Sequence, residues 1–178
     1  YKSDINNLKI IKKIIKKNKI DSVIHLAASI SVTDSKKDYK LFYKNNVEGT
    51  SNLIKACKDS LVKNFVFSST AAVYKSSNKK VTELSKIKPK SVYGITKLKA
   101  EKIIIKSLKK LKINYAILRY FNVVGASPSK KIGPLKKNDT LFKNISIAMF
   151  QKKTDIKIYG NNFNTKDGTC IRDYIHVS

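Results

Sequence analysis

Hydrophobic residues form three short, nearly continuous runs along this chain, and each run ends in small, hydroxyl-bearing or aromatic residues. The runs cover residues 22–28, 64–70 and 114–122. Because polar and apolar positions hardly alternate within them, the runs indicate strands buried on both faces, as in a parallel sheet. The run ends are Ala27-Ala28-Ser29, Ser68-Ser69-Thr70 and Tyr120-Phe121-Asn122.

Between the runs, apolar side chains recur with helical spacing while lysines occupy the opposite faces. The recurring positions are Ile11, Ile14 and Ile15; Val47, Thr50, Leu53, Ile54 and Cys57; and Leu98, Glu101, Ile104, Ile105, Leu108 and Leu111. An alternation of strands and helices predicts an open α/β sheet with right-handed crossovers. Since such sheets bind ligands at the carboxyl ends of their strands, the run ends are the expected site.

The net charge of +26 changes this picture less than its size suggests. The positive charge is almost entirely lysine, and the only arginines are Arg119 and Arg172. Proteins that read bases favour arginine for its planar fork, so a solvated lysine-rich surface is preferred over a nucleic-acid interface. No apolar run is long enough to span a membrane. We therefore expect no nucleic-acid and no membrane partner.

The cysteines and histidines do not form a recognisable metal or redox motif. Cys57 and Cys170 lack disulfide or ligand spacing, which suits a reducing compartment and predicts a cytoplasmic protein. His25 and His176 have no carboxylate or cysteine at ligand spacing and are interpreted as structural. No metal site is expected.

Candidate chemistry begins with Tyr93 and Lys97, which stand four residues apart at the head of a helical pattern. Positions i and i+4 share a helix face, so the lysine ammonium is expected to lower the pKa of the tyrosine phenol. A tyrosine tuned in this way can exchange a proton with a substrate hydroxyl. In so lysine-rich a chain the spacing is a weak signal by itself, and a boundary tyrosine with a solvated lysine is the alternative.

Six segments that follow one another along essentially the whole chain add a resemblance to a known family. They are Val-Ile-His-Leu-Ala-Ala (23–28), Asn-Asn-Val-Glu-Gly-Thr (45–50), Phe-Val-Phe-Ser-Ser-Thr-Ala-Ala-Val-Tyr (65–74), Ser-Val-Tyr-Gly-Ile-Thr-Lys (91–97), Leu-Arg-Tyr-Phe-Asn-Val-Val-Gly-Ala (118–126) and Asp-Gly-Thr-Cys-Ile-Arg-Asp-Tyr-Ile-His-Val (167–177). Together they resemble the extended short-chain dehydrogenase/reductases, and within these the nucleotide-sugar 4-epimerases.

The resemblance implies an isomerase that uses NAD to epimerise C4 of UDP-glucose and UDP-galactose through a transient 4-keto sugar. It leaves open relatives that act on UDP-N-acetylhexosamines or UDP-uronates, a decarboxylase, and a non-catalytic lysine-rich remnant. Sugar-nucleotide 4,6-dehydratases carry an Asp-Glu pair where this chain has Ala71-Ala72, so dehydration is disfavoured.

The resemblance also assigns roles to individual residues. Tyr93 is the expected acid/base, Lys97 its electrostatic partner and ribose contact, and Thr70 the hydrogen-bond partner of the reacting hydroxyl. The expected cofactor contacts are Asp4, Ile5, Ala27, Ala28, Asn46, Ser68, Ser69, Tyr93, Lys97, Tyr120 and Phe121. The expected substrate contacts are Thr70, Tyr93, Asn122, Tyr159 and Arg172.

Simpler structural roles exist for several of these residues. Thr70 and Asn46 suit turn or helix caps. Ala27 and Ala28 suit tight strand packing, and the aromatic residues Tyr120, Phe121 and Tyr159 suit an ordinary core or strand.

The resemblance implies a Rossmann-like doubly wound parallel sheet of which this chain carries a part. The family's glycine-rich pyrophosphate loop has no counterpart here, because the six glycines stand singly. We expect an internal piece with a partial NAD-binding domain (residues 1–125) and a partial substrate-binding region (residues 126–178). By itself this piece is expected to be inactive, and the full-length protein is expected to be a homodimer.

Overall fold

Residues 1–120 and 121–178 form two separate units of the chain. The computed structural model describes all residues except 32–34, 37, 78, 130, 134–139, 153–155 and 159. The sequence-based domain boundary after residue 125 falls inside the second unit, and the roles assigned to the two domains stay predictions.

The first unit alternates helices and strands in the predicted order. Its elements are α1 (Leu8–Lys17), β1 (Ser22–His25), α2 (Tyr39–Tyr43), a π-helical turn (Lys44–Glu48), α3 (Gly49–Cys57), β2 (Asn64–Thr70), a 3-10 turn (Ala71–Val73), α4 (Val92–Leu111) and β3 (Asn114–Tyr120).

The three strands form a parallel sheet in the order β1-β2-β3. Their first residues Ser22, Asn64 and Asn114 are in register, so the carboxyl ends of the strands lie on one edge. The predicted parallel α/β fold is confirmed. The first strand is shorter than the apolar run at 22–28 predicts. It ends at His25, and Ala27 and Ala28 lie in the loop that follows.

The core of this unit lies on one face of the sheet. Phe65 and Phe67 on β2 are 1% exposed and pack in one cluster with Ile54 of α3 and Ile104 and Leu108 of α4. Burying a side chain of this size stabilises the fold by about 1.5–3 kcal/mol. These contacts fix α3 and α4 against the strands.

The opposite face of the sheet is exposed in the described part of the chain, and burial of the strands on both faces stays a prediction for the full-length protein. Ile24 is 68% exposed and Leu118 is 39% exposed. The physical reason is that α1, α3 and α4 all contribute to the same core cluster with the other face.

Helix α3 continues α2 through the π-helical turn, so the helical path is unbroken from Tyr39 to Cys57. A π turn holds one extra residue and is frequent at functional sites. Cys57 ends α3 in the core, and burial raises the pKa of its thiol to about 11, whereas Cys170 is exposed.

The start and end of α4 follow from its terminal residues. The Ser91 hydroxyl accepts a hydrogen bond from the Gly94 backbone N–H at 3.0 Å, which caps the first turn and sets Tyr93 within it. At the other end Lys112 has a φ of 57°, the left-handed conformation that terminates helices.

The second unit contains β4 (Asn122–Val124), α5 (Leu141–Phe150) and β5 (Tyr174–His176). Strands β4 and β5 pair in parallel. The rings of Phe142 and Tyr174 meet edge to face, with 4.9 Å between their centroids, and so connect α5 to β5. None of the helices in the described ranges is long and apolar enough to cross a membrane.

Candidate active site

Thr70 and Tyr93 meet at the carboxyl end of β2. The Thr70 hydroxyl accepts a hydrogen bond from the Ala72 backbone N–H at 3.2 Å, and Thr70 is also hydrogen-bonded to the Tyr93 side chain. The capping role foreseen for Thr70 is therefore present, and its contact with the reacting hydroxyl stays a prediction. The acid/base candidate lies directly beside the hydroxyl residue expected to assist it.

Gly94 allows this contact by bringing α4 close to the turn after β2. A Cβ atom at position 94 would lie 2.7 Å from the backbone oxygen of Ala72 and 3.1 Å from Cβ of Pro89. Any side chain here would push the first turn of α4 away from Thr70.

The pKa of Tyr93 is shifted in the direction opposite to the one that the sequence predicts. Burial raises this pKa, and the hydrogen bond with Thr70 only partly opposes the effect. The phenolate form loses more by leaving water than it gains from its neighbours. Lys97 does not contribute to this shift of the Tyr93 pKa.

Lys97 lies one helical turn after Tyr93 and is 3% exposed. Its ammonium group sits over the Phe67 ring, 4.3 Å from the centroid. Burial lowers the pKa of Lys97 to about 8, while the charge of Glu101 opposes the shift. The alternative of a solvated lysine is excluded.

Asn46 lies in the π-helical turn and ties the site elements together. Its Oδ1 accepts from the Ser29 backbone N–H at 2.8 Å, and its Nδ2 donates to the Ser29 carbonyl at 3.0 Å and to Thr96 Oγ1 at 3.1 Å. The Thr96 hydroxyl in turn donates to the Tyr93 carbonyl at 2.8 Å. The Asn46 side chain thus connects the loop after β1 to α4, and it is not a helix N-cap.

Ser68 and Ser69 point to opposite faces of β2. Ser68 is half-buried on the same face as Thr70. The Ser69 hydroxyl is buried and donates to Glu101 Oε1. Strand alternation turns this hydroxyl toward α4, and a cofactor contact of Ser69 stays a prediction.

The next predicted cofactor contacts lie before α1 and in the loop after β1. Asp4 is exposed and accepts from the Asn6 backbone N–H at 2.7 Å, which lowers the pKa of its carboxyl. Ile5 packs against the core cluster. Ala27 is exposed and Ala28 is half-buried, so tight strand packing does not account for them.

The remaining predicted residues stand beyond β2 and α4. Tyr120 ends β3 and is 39% exposed. In the second unit Phe121 is 39% exposed, Arg172 is exposed, and Asn122 Nδ2 donates to the Asp173 carbonyl at 2.9 Å. Tyr159 lies outside the described residues.

Glu101 and His25 are buried polar groups that stand outside the predicted site residues, and for His25 the sequence predicts a structural role. Glu101, 1% exposed, forms a salt bridge with Arg119 at 2.7 Å. His25 Nε2 lies 2.8 Å from Thr50 Oγ1. The sequence did contain a sign of a special role for Glu101, because this carboxylate occupies a position among the apolar residues that recur along α4.

These contacts define an α/β protein with a Thr-Tyr pair at the carboxyl edge of a parallel sheet, where such sheets bind ligands. Residues 1–178 match the family described as "NAD dependent epimerase/dehydratase family", and the chain belongs to that family.

Individual relatives agree with this assignment. The chain is 40% identical to a UDP-glucose 4-epimerase from Lactobacillus helveticus over 99% of its own length and 54% of the relative. It is also similar to two solved structures of UDP-glucose 4-epimerases. The one from Brucella ovis, in complex with NAD, has a TM-score of 0.91 at 34% identity and is matched over 99% of this chain and 55% of its own. The one from Bifidobacterium longum, in complex with NAD+ and UDP, has a TM-score of 0.91 at 32% identity, with 99% and 54% covered. The chain thus spans about half the length of the relatives it matches.

Proposed function

We propose that the full-length protein carrying this chain is a NAD-dependent 4-epimerase of UDP-glucose and UDP-galactose. The observation that carries the proposal is the contact of Tyr93 with Thr70, with Lys97 one turn further along the same buried helix face. Family membership and the relatives described above support the same reaction.

The residues at this edge fit the nicotinamide end of NAD. Small side chains at Ala27 and Ala28 leave the backbone after β1 approachable, and Thr70, Tyr93 and Lys97 supply hydroxyl and ammonium donors. When bound, NAD supplies the acceptor and donor of hydride. Further cofactor contacts are proposed for Asp4, Ile5, Asn46, Ser68, Tyr120 and Phe121.

The chain's own residues handle the proton and the orientation. Tyr93 accepts the proton of the C4 hydroxyl and later returns it to the oxygen of the 4-keto sugar. The Lys97 charge stabilises the phenolate, and Thr70 orients the hydroxyl groups. Asn122, Tyr159 and Arg172 are proposed to hold the UDP-sugar, Arg172 by pairing with its diphosphate.

The reaction is tested by adding UDP-galactose to the full-length protein without free NAD and following UDP-glucose formation. Conversion supports an epimerase that retains its cofactor. If NAD is bound but UDP-galactose is not converted, the proposed substrate pair is wrong, and UDP-N-acetylhexosamines and UDP-uronates are the next substrates to test.

Replacing Tyr93 by Phe tests the mechanism. The variant Tyr93→Phe removes the proton-transfer group, and we expect kcat to fall by about 10²–10⁴-fold. Thermal unfolding and NAD content serve as controls for folding. Wild-type kcat in this variant excludes the assigned role of Tyr93.

A homodimer and a cytoplasmic location of the full-length protein stay predictions. Light scattering coupled to size-exclusion chromatography measures the oligomeric state. Fractionation of the source cells measures the location.

A further inference from the structure

A bidentate ion pair joins buried Glu101 to half-buried Arg119 next to the candidate site. Arg119 Nε donates to Glu101 Oε1 at 3.1 Å, and its NH2 group donates to Glu101 Oε2 at 2.7 Å. The Glu101 side chain is 1% exposed and that of Arg119 is 18% exposed. This planar fork geometry fixes both side chains in direction as well as in distance.

The pair connects every element that carries a catalytic candidate. Glu101 lies on α4, and Arg119 lies near the end of β3. At the end of β2 the Ser69 hydroxyl donates to Glu101 Oε1. After the 3-10 turn, the Tyr74 hydroxyl accepts from Arg119 NH1 at 3.0 Å. The cluster of Ser69, Tyr74, Glu101 and Arg119 is called the anchor cluster below.

The anchor cluster is adjacent to the site in sequence and in space. Tyr93, Lys97 and Glu101 recur every four residues and so share one face of α4. On β2, Ser69 directly precedes Thr70 and faces α4. A shift of Glu101 therefore moves Tyr93 relative to Thr70.

An ion pair with a buried carboxylate is a costly way to join a helix to a sheet. Apolar residues of similar volume often stabilise a fold as well or better, whereas removal of one partner leaves an uncompensated charge. Stability is thus a weak reason for this pair at this place. Geometry at the neighbouring site is a stronger one.

We propose that Glu101 and Arg119 are positioning residues for the reaction, which hold the Tyr93–Lys97 face of α4 against the strand end that bears Thr70 and provide the negative charge beneath Lys97. The inference rests on the proposed function, since it concerns the same site.

The electrostatic part follows from the groups that surround Lys97. The titratable groups that interact with Lys97 are Glu101 on α4 and His25 on β1, and Glu101 is the negative one. Tyr93 precedes Lys97 by one turn of α4, and Arg119 of β3 pairs with Glu101. The charge of Glu101 raises the pKa of Lys97 against the effect of burial, and Lys97 in turn lowers the pKa of His25. Loss of the carboxylate charge would let Lys97 lose its proton at lower pH.

The variant Glu101→Gln in the full-length protein separates positioning from mere folding. It keeps the side-chain shape and removes the charge. We expect kcat to fall about 10-fold at neutral pH with KM for UDP-galactose little changed, and the alkaline limb of the kcat profile to move down by about one pH unit. Glu101→Asp keeps the charge and is expected to restore the limb but not the full kcat.

If Glu101 had a merely structural role, Glu101→Gln would lower the fraction of active protein without moving the alkaline limb of the kcat profile. That result overturns the inference. The matched control Glu83→Gln removes the same charge from an exposed position and should leave kcat and the limb unchanged. If Glu101→Gln fails to fold, Arg119→Lys keeps both charges but loses the fork. We expect kcat to fall about 10-fold with the limb unmoved, and wild-type kcat in that variant contradicts the inference.

A readout without turnover distinguishes this inference from the proposed function. The pKa of Lys97 can be followed by NMR of its labelled side chain, assigned by comparison with Lys97→Arg. Two results overturn the inference even if the wild-type protein shows no epimerase activity. The first is a pKa of Lys97 that is lower in Arg119→Lys than in wild type. The second is a pKa of Lys97 that is the same in Glu101→Gln as in wild type. Absence of activity with the expected shift in Glu101→Gln contradicts the proposed function alone.

Discussion

Thr70 has two hydrogen-bonding partners at the end of β2, and they serve different purposes. Its hydroxyl oxygen accepts from the Ala72 N–H, which shapes the turn after the strand. The same side chain contacts Tyr93 and lowers the pKa of that phenol against the effect of burial. At this one position the turn and the acid/base group are coupled.

Replacing Thr70 by Val keeps the shape of the side chain and removes both hydrogen bonds. We expect kcat of the full-length protein to fall about 10–100-fold, and the unfolding free energy to fall by about 1 kcal/mol. Because the bond lowers the pKa of Tyr93, the acid limb of the kcat profile should move to higher pH. Thr70→Ser retains the hydroxyl, so a Ser variant as impaired as the Val variant contradicts this role.

Single residues were predictable from the sequence where local geometry decides their place. The spacing of Tyr93 and Lys97 and the position of Thr70 at a strand end both led to the site. The pKa direction of Tyr93 was not predictable, because it depends on burial by residues distant in sequence. Glu101 was read only as part of a helical stripe, since its partner Arg119 becomes visible once β3 is placed beside β2.

At the scale of elements, α4 has to start close to the turn after β2. Ser91 caps its first turn and Gly94 permits the close approach to Ala72. An alanine in a helix is usually favourable relative to glycine, by about 1 kcal/mol. Here the contact with a backbone oxygen outweighs that gain.

Gly94→Ala is expected to lower both stability and activity. Crowding against the Ala72 backbone should cost about 1–3 kcal/mol of unfolding free energy, and displacement of Tyr93 should lower kcat. Thermal unfolding and kcat are measured together. Gly133→Ala is the matched control, because a Cβ there would lie at an ordinary 3.6 Å from Ala126 Cβ. A Gly94→Ala protein as stable and active as the control contradicts the account.

Element types were predictable, and irregular features were not. Apolar runs and helical spacing gave β2 and α4 close to their observed bounds. The π-helical turn at Lys44–Glu48 inserts a residue without breaking the apolar pattern, so periodicity does not reveal it. Exposure of the second sheet face within this chain did not follow from the sequence either, since a run of apolar residues does not say which side receives helices.

For the whole molecule, His25 makes folding sensitive to acid. The Thr50 hydroxyl donates its proton to the Asn46 carbonyl at 2.7 Å, so His25 Nε2–H donates to Thr50 Oγ1 at 2.8 Å. Burial, together with the Lys97 charge, lowers the pKa of His25 from 6.5 to about 4. The unfolded chain therefore binds a proton at a higher pH than the folded one.

The sign of the effect follows from linkage between protonation and folding. Stability contributed by neutral His25 is present above pH 6.5 and is lost as pH falls toward 4, by about 3 kcal/mol in total. Urea unfolding of the full-length protein between pH 7 and 4 measures this loss. His25→Gln removes the titration and should show a shallower pH dependence, and equal slopes in the two proteins would refute the assignment.

The two cysteines differ in their accessibility to thiol reagents. Thiol-reactive dyes attack the exposed thiolate, and Cys57 offers neither exposure nor an accessible thiolate near neutral pH. Within this chain a maleimide fluorophore would attach to Cys170 alone, in the unit that does not contain Tyr93. The native sequence thus supplies a labelling position in the second unit that leaves the first unit unmodified.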